Sequence, residues 1–506
     1  MNRRTFLGVA ASGGAAAVAQ PGGQPNFLIL LSDQHSPHVL GCYGDRVVQT
    51  PNLDRLASRG VLFEHAYCQA PLCVPSRMSF LTGLQPSQSR VWTNSDTLPS
   101  DIPTFAHALG AAGYQTALIG RMHFNGPDQR HGFDQRLVGD VTPAFPDRGI
   151  PLTPQLLPGA TNSSRLSVSI AGPGKTAYQV FDEDVTKATV DYLRGAASTK
   201  RPFCAVSGFV LPHSPFVCPE SFWRYYYDRV TAPPLPPGYL AALHPAIQTW
   251  RKARGVDDLT TEEIRRARAG YYGLVAQFDG MVGRILEALR ESGMENDTVV
   301  VYTSDHGEMA GENGMWWKMN FYEGSVTVPL IVASSRFRPA RRASETVSLV
   351  DIAPTLCELA GAPQVQGSGK SLVPVLSGTA TAPPTDALSE LAPMGPVPAT
   401  RMIRRGKWKL VHFHGMRPQL FDLERDPREQ HDLGESAEFR AVRDELTAAV
   451  MRDWKPEEIS RELAVRQSQR TILAKWAEQT HPPSDPVWQA PPDANIFPLE
   501  RAPTRD

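Results

Sequence analysis

Thr298-Val299-Val300-Val301-Tyr302-Thr303-Ser304-Asp305-His306-Gly307-Glu308 is the stretch that decides the fold. Its first six residues are all β-branched or aromatic and leave no polar face. That pattern reads as a strand covered on both sides, as in a parallel sheet between layers of helices. A carboxylate, an imidazole and a second carboxylate follow at once. Ligands in open α/β sheets collect beyond the carboxyl ends of strands, which makes Asp305 and His306 candidate site residues.

The same pattern recurs at the front of the chain, where the apolar run Asn26 to Leu31 is followed by Asp33. Between these runs, helices are expected over Asn52–Arg59, Ile102–Ala112, Val185–Ala196 and Thr261–Ser292. Leu274, Phe278, Met281, Val282, Ile285 and Leu289 recur at helical spacing in the last of these. Strands are expected over Thr116–Gly120 and Phe203–Phe209. Arg121 and His123 lie just beyond the first strand, and Pro212-His213-Ser214-Pro215 beyond the second. The alternation predicts an α/β fold with a large, doubly wound, mostly parallel sheet flanked by helices. A Gly-, Pro-, Ser- and Thr-rich stretch, Gly367–Pro398, suggests a boundary between a catalytic unit (24–375) and a smaller α+β subdomain (376–506). That subdomain is expected to hold a hairpin over Thr400–Phe413, a strand at Gln419–Leu423 and a helix from Ala437 to Trp454. After Pro482 an irregular tail is expected, a candidate intersubunit arm in a homo-oligomer.

With 51 basic and 52 acidic residues, the net charge is −1. No basic surplus points to nucleic acid as a partner. Six cysteines show neither metal-like nor disulfide-scaffold spacing. The first twenty residues carry Arg3-Arg4-Thr5-Phe6-Leu7, then an Ala/Gly-rich apolar run ending in Ala17-Val18-Ala19. They resemble a twin-arginine export signal, which implies cleavage near Ala19 and a periplasmic or extracellular protein.

Cys73-Val74-Pro75-Ser76-Arg77 continues as Met78-Ser79-Phe80-Leu81-Thr82-Gly83. Pro75 suits a first helical turn, so Cys73 would sit at a helix start beside the cation of Arg77. If their strands are neighbours, Asp33, Asp305 and His306 converge with Cys73 as a divalent-cation site. Oxygen-rich ligation favours Ca²⁺, and the imidazole admits Mn²⁺.

This stretch resembles the C-x-P-S-R-x-x-x-L-T-G signature of type I, formylglycine-dependent sulfatases of the alkaline phosphatase superfamily. The resemblance implies that a separate formylglycine-generating or sulfatase-maturating enzyme converts Cys73 to formylglycine, whose hydrate is the nucleophile. Ser32-Asp33 and Asp305-His306 resemble the variant of choline sulfatases and phosphonate monoester hydrolases. Gly120 to Phe133 is similar to the choline-sulfatase segment, with Arg121 where that family usually has lysine. Leu211-Pro212-His213-Ser214-Pro215, Met315 to Gly324 around Lys318, and Met402 to Lys409 extend the likeness. It implies catalytic roles for Cys73, Arg77, His123 (as proton acceptor), His213 and Lys318, and substrate contacts for Arg121, Asn94 and Glu390. Val138 to Pro154 contains no tryptophan, where choline sulfatases carry a cage aromatic, and Phe145 is the candidate substitute. The implied activity is hydrolysis of a small sulfate monoester. The alternatives are a phosphonate monoester or phosphodiester hydrolase with the same nucleophile, and a silent sulfate-ester-binding protein.

Overall fold

A computed structural model describes residues 23–142, 144, 162–199, 201–337, 341–379, 386–482, 485 and 487–497. In it the strands are, in chain order, β1 Asn26–Ser32, β2 Gly60–Tyr67, β3 Gln115–Gly120, β4 Gln135–Leu137, β5 Gly172–Pro173, β6 Phe203–Gly208 and β7 Val217–Cys218. They continue as β8 Thr298–Ser304, β9 Leu330–Ala333, β10 Arg341–Ser348, β11 Ala387–Leu391, β12 Thr400–Arg405, β13 Trp408–Phe413 and β14 Gln419–Asp422. Eight of them form the main sheet in the order β10-β2-β9-β8-β1-β6-β3-β4. The sheet is parallel except at β9, which runs antiparallel to both of its neighbours.

The two apolar runs occupy the middle. β1 pairs with β8 on one side and β6 on the other, and Phe27, Leu28, Ile29, Leu30 and Leu31 have no exposed surface. Burial of such a side chain contributes about 1.5–3 kcal/mol, and truncating one to alanine costs about 2–5 kcal/mol. The helix Thr261–Glu291 covers one face with the expected apolar stripe. A capping box starts it: Thr260 Oγ1 accepts from Glu263 N–H, and Glu263 accepts from Thr260 N–H. Gly208 lets β3 and β6 close up at their carboxyl ends, since a Cβ there would lie 1.7 Å from the carbonyl oxygen of Arg121.

The second sheet, β11-β12-β13-β14, is antiparallel, and the β12–β13 hairpin turns at Gly406 with φ +54°. The helix Arg440–Met451 packs on it through Leu446 and Val450. A 25-residue helix, Pro456–Thr480, follows where the sequence pattern gave no indication of one. It returns to the main body through Arg466 and Arg470, which reach Asp96. The described part of the tail runs along its own chain: Val487 bridges to Asp140, Ile496 to Lys175, and Trp488 packs against Phe181. Among the described residues no helix is long and apolar enough to cross a membrane.

Candidate active site

β1 and β8 pair in a register that sets Ser32 opposite Ser304, so the next residue of each strand, Asp33 and Asp305, emerges at the same sheet edge. Cys73 opens the fully buried helix Cys73–Thr82. Leu72 cannot cap this helix, and Asn94 does so from outside by accepting from Val74 N–H at 3.0 Å. The thiol lies 3.3 Å from His306 Nε2 and 3.8 Å from Asp33 Oδ1. One donor atom from each of Asp33, Cys73, Asp305 and His306 lies within 4.8 Å of the other three, and all four residues are buried.

Arg77 sits one turn along the same helix and spends its described bonds on protein. It donates to Asp305 Oδ2 (2.8 Å), Asp33 Oδ2 (3.0 Å) and the Arg121 carbonyl (3.1 Å). Arg121 Nε adds a second bond to Asp33 Oδ2 at 3.0 Å. The guanidinium groups thus hold both Oδ2 atoms, and Oδ1 of each carboxylate is left on the side of His306, 3.8 and 3.6 Å from its Nε2. His306 Nδ1–H donates to the Gly307 carbonyl at 3.0 Å, which leaves the Nε2 lone pair pointing inward. Burial holds the His306 pKa below the ordinary imidazole range although Asp305 opposes it. Burial alone would raise Asp33, yet His213, Arg77, Arg121 and Lys318 together hold it well below the usual carboxylate range. Two buried carboxylates, a neutral imidazole and Cys73 around one point fit a hard divalent cation.

His213 Nδ1–H donates to the Ser214 carbonyl at 2.7 Å, and its Nε2 accepts from Lys318 Nζ at 2.7 Å. Burial first, then Lys318, keeps the pKa of His213 low. Lys318 also donates to Gln34 Oε1, while Gln34 Nε2 donates to Glu308. Burial pushes the Glu308 carboxyl up to about 7 against the N–H groups of Ala310 and Trp317 that it accepts. Asp182 accepts from Val210 and Leu211 N–H and so fixes the segment that leads to His213.

His123 adopts φ +62° and is held by Asp140, which accepts from the N–H groups of Met122 and His123. Arg121 Nη2 donates to His123 Nδ1 at 2.8 Å. That bond occupies the Nδ1 lone pair and places the ring proton on Nε2. His123 therefore presents a donor, where the sequence suggested a proton acceptor. Burial and Arg121 both keep its pKa well below the ordinary value.

The structure thus gathers Asp33, Cys73, Arg77, Arg121, His123, His213, Asp305, His306 and Lys318. Asn94 serves the helix Cys73–Thr82 as a cap. Glu390 is buried on β11, where its carboxylate accepts from Ser87 N–H and faces Arg401, and none of its described bonds reaches this cluster. The candidate aromatic Phe145 and the leader 1–20 fall outside the described residues. Sequence reasoning assigned no role to Gln34, Asp140, Asp182 or Glu308. Gln34 and Glu308 sat in view beside Asp33 and His306, whereas Asp140 and Asp182 carry no local signal.

A model of the sulfatase family matches residues 25–362, and a model of the N-sulphoglucosamine sulphohydrolase C-terminal region matches residues 311–455. The chain is 36% identical to a choline-sulfatase of Rhizobium meliloti (strain 1021) over 475 residues, covering 88% of this chain and 90% of that one. It is 30% identical to arylsulfatase K of Danio rerio, over 81% of this chain and 80% of that one. The phosphonate monoester hydrolase of Agrobacterium radiobacter superposes with a TM-score of 0.70 at 26% identity, over 88% of this chain and 96% of that one. A 2-O GAG sulfatase at 22% identity shares the fold, with a TM-score of 0.66 over 93% of this chain and 99% of that one. The chain belongs to the sulfatase family and is a sulfuric ester hydrolase that cleaves sulfate monoesters.

Proposed function

We propose that the substrate is a small sulfate monoester, that Cys73 is matured to formylglycine by a separate enzyme, and that a single divalent cation, Ca²⁺, completes the site. The observation that carries this reading is the convergence of four buried donors from Asp33, Cys73, Asp305 and His306 at a helix start. Asp33, Asp305 and His306 would hold the cation, which supplies Lewis-acid stabilisation of an oxygen bearing developing charge. Formylglycine supplies a geminal diol: one oxygen, ionised, attacks sulfur as the bond from sulfur to the alcohol oxygen breaks. The other hydroxyl then gives its proton to the Lys318 amine left neutral by protonating the alcohol, so that the C–O bond to sulfate breaks and the aldehyde is restored. Arg77 orients both carboxylates, and the His123 Nε2–H is a donor for a sulfate oxygen. Lys318, bonded to the neutral His213, delivers a proton to the departing alcohol.

The Glu390 carboxylate accepts from Ser87 N–H and faces Arg401 at 3.5 Å, so its charge is already opposed by a cation of this chain, and none of its described bonds reaches the Cys73 cluster. We therefore read the alcohol broadly, as a small alkyl, aryl or sugar group. The leader 1–20 supports export by a twin-arginine route, and maturation of Cys73 then precedes folding in the cytoplasm. A second reading, phosphonate monoester hydrolysis, draws on the Asp305-His306 pair and the Agrobacterium neighbour. Turnover of nitrophenyl sulfate against nitrophenyl phosphonate by matured, Ca²⁺-loaded protein tests the choice. Preference for the sulfate is expected, and preference for the phosphonate would reverse it.

A further inference from the structure

Lys318 carries three N–H donors on a flexible stem, and an unguided ammonium would spread over many rotamers. Here one donor goes to His213 Nε2 and one to Gln34 Oε1. Among the described residues no further bond takes the third. Gln34, Glu308, Lys318 and His213 are 0%, 1%, 4% and 7% exposed, so bulk water does not reorganise these bonds.

The direction of the Gln34 amide is not free. Turned over, it would set its NH₂ against the ammonium and its oxygen against a carboxylate. Glu308 selects the observed orientation because its Oε2 accepts from Gln34 Nε2. Glu308 is itself pinned by the N–H groups of Ala310 and Trp317, from the two sides of the loop that ends at Lys318. The backbone around Lys318 points the same way. Gln34, Trp317 and Met319 hold φ of +68°, +56° and +67°, a region that non-glycine residues rarely enter and that costs about 1–3 kcal/mol each. Three such residues around one ammonium mean that its position is over-determined.

We infer that Gln34 and Glu308 are positioning residues for leaving-group protonation, with Glu308 fixing the amide of Gln34 and Gln34 aiming the third N–H of Lys318 at the departing alcohol. This role rests on the proposed sulfatase mechanism, in which Lys318 and His213 face the leaving group. It makes no demand on aryl sulfates, whose phenoxides leave without help. Alkyl sulfates, whose alkoxides need a proton, depend on it.

Gln34→Asn tolerates the left-handed backbone but is one carbon too short to span Lys318 and Glu308. Glu308→Gln is the second variant, should the first fail to fold. With matured, Ca²⁺-loaded protein, each should lower kcat on a primary alkyl sulfate by about 30-fold and on nitrophenyl sulfate by only about threefold. In a Lys318→Ala background, Gln34→Asn should have little further effect on the alkyl ester. Equal losses on both esters, or a full additional loss in that background, would overturn the positioning role while Lys318 keeps its own. A Lys318→Ala enzyme that turns over both esters at the wild-type rate would overturn the mechanism on which the proposal rests.

Discussion

Among the described residues, two of the buried charge clusters stand in contrast: one closes on a cation, and the other turns its donor atoms toward a common point. Around Lys409, which has no exposed surface, Glu323 and Glu429 both turn toward the ammonium, and Tyr67 and the Glu323 N–H satisfy further oxygens. The cation sits at the centre and the cluster is closed. Around Cys73 the cations stand at the back. Arg77 and Arg121 grip the Oδ2 atoms of Asp33 and Asp305, and the remaining oxygens face His306 and the thiol. Burial of charge is thus common to both. What separates a structural ion cluster from a site is the side on which the counter-charge sits.

The largest test of that difference is Cys73→Ala, expected to reduce turnover by about 10⁴-fold or more while the melting temperature stays within a few degrees. Kinetics paired with thermal melts would check it, and retained activity would refute the assignment of the nucleophile. Removing the cation comes next. Chelation should lower turnover of a sulfate ester by about 100-fold or more, and added Ca²⁺ should restore it. Ca²⁺ should also raise the melting temperature of wild type but not of Asp305→Asn, since only the intact cluster binds it in the folded state.

The Lys409 cluster should behave in the opposite way. Lys409→Met leaves Glu323 and Glu429 buried without a partner, for a loss of about 3–5 kcal/mol by denaturant unfolding. The folded fraction should keep kcat within about twofold of wild type, because this cluster holds nothing that reacts. A large kcat defect in folded Lys409→Met protein would erase the distinction.

The smallest effect is a pH dependence of stability. Burial pushes Asp182 up to about 8. Its carboxyl keeps a proton in the folded chain that the unfolded chain releases near pH ~4. Its contribution to stability therefore falls as pH rises through that folded value. The buried histidines His123, His213 and His306 shift downward and lose stability only below pH ~6.5, so they do not offset this trend. Melting temperature should decline between pH 6.5 and 8.5, and Asp182→Asn should flatten the decline. A melting temperature that rises over that range would contradict the sign.

How much of this was legible depended on whether the signal was local. β1 and β8 announce themselves as unbroken apolar runs, because both of their faces are covered. Asp33, Asp305 and His306 follow from the rule that ligands gather at strand ends. β2 escaped notice because Glu64 and His65 interrupt its apolar run where the strand is only half-buried. β10, at the sheet edge, opens Arg341-Arg342 and carries polar residues throughout. The helix Pro456–Thr480 was missed for another reason: Val465, Ile472, Leu473 and Trp476 point outward, so no apolar stripe marks an inner face. In the site, the motif showed Arg77 as a cation but not that it grips both carboxylates, a fact set by the β1–β8 register. Asp140 and Asp182 act on the His123 and His213 segments across the fold, and nothing in their own neighbourhoods records that.

Cys73 acts here as a precursor rather than as a thiol catalyst, and the decisive measurement is the mass of the peptide spanning Cys73, taken from protein produced beside a maturation enzyme and read together with turnover. A lighter peptide carrying an aldehyde in place of the thiol is expected, with a kcat that rises in proportion to the converted fraction. An unmodified thiol in fully active protein would contradict it.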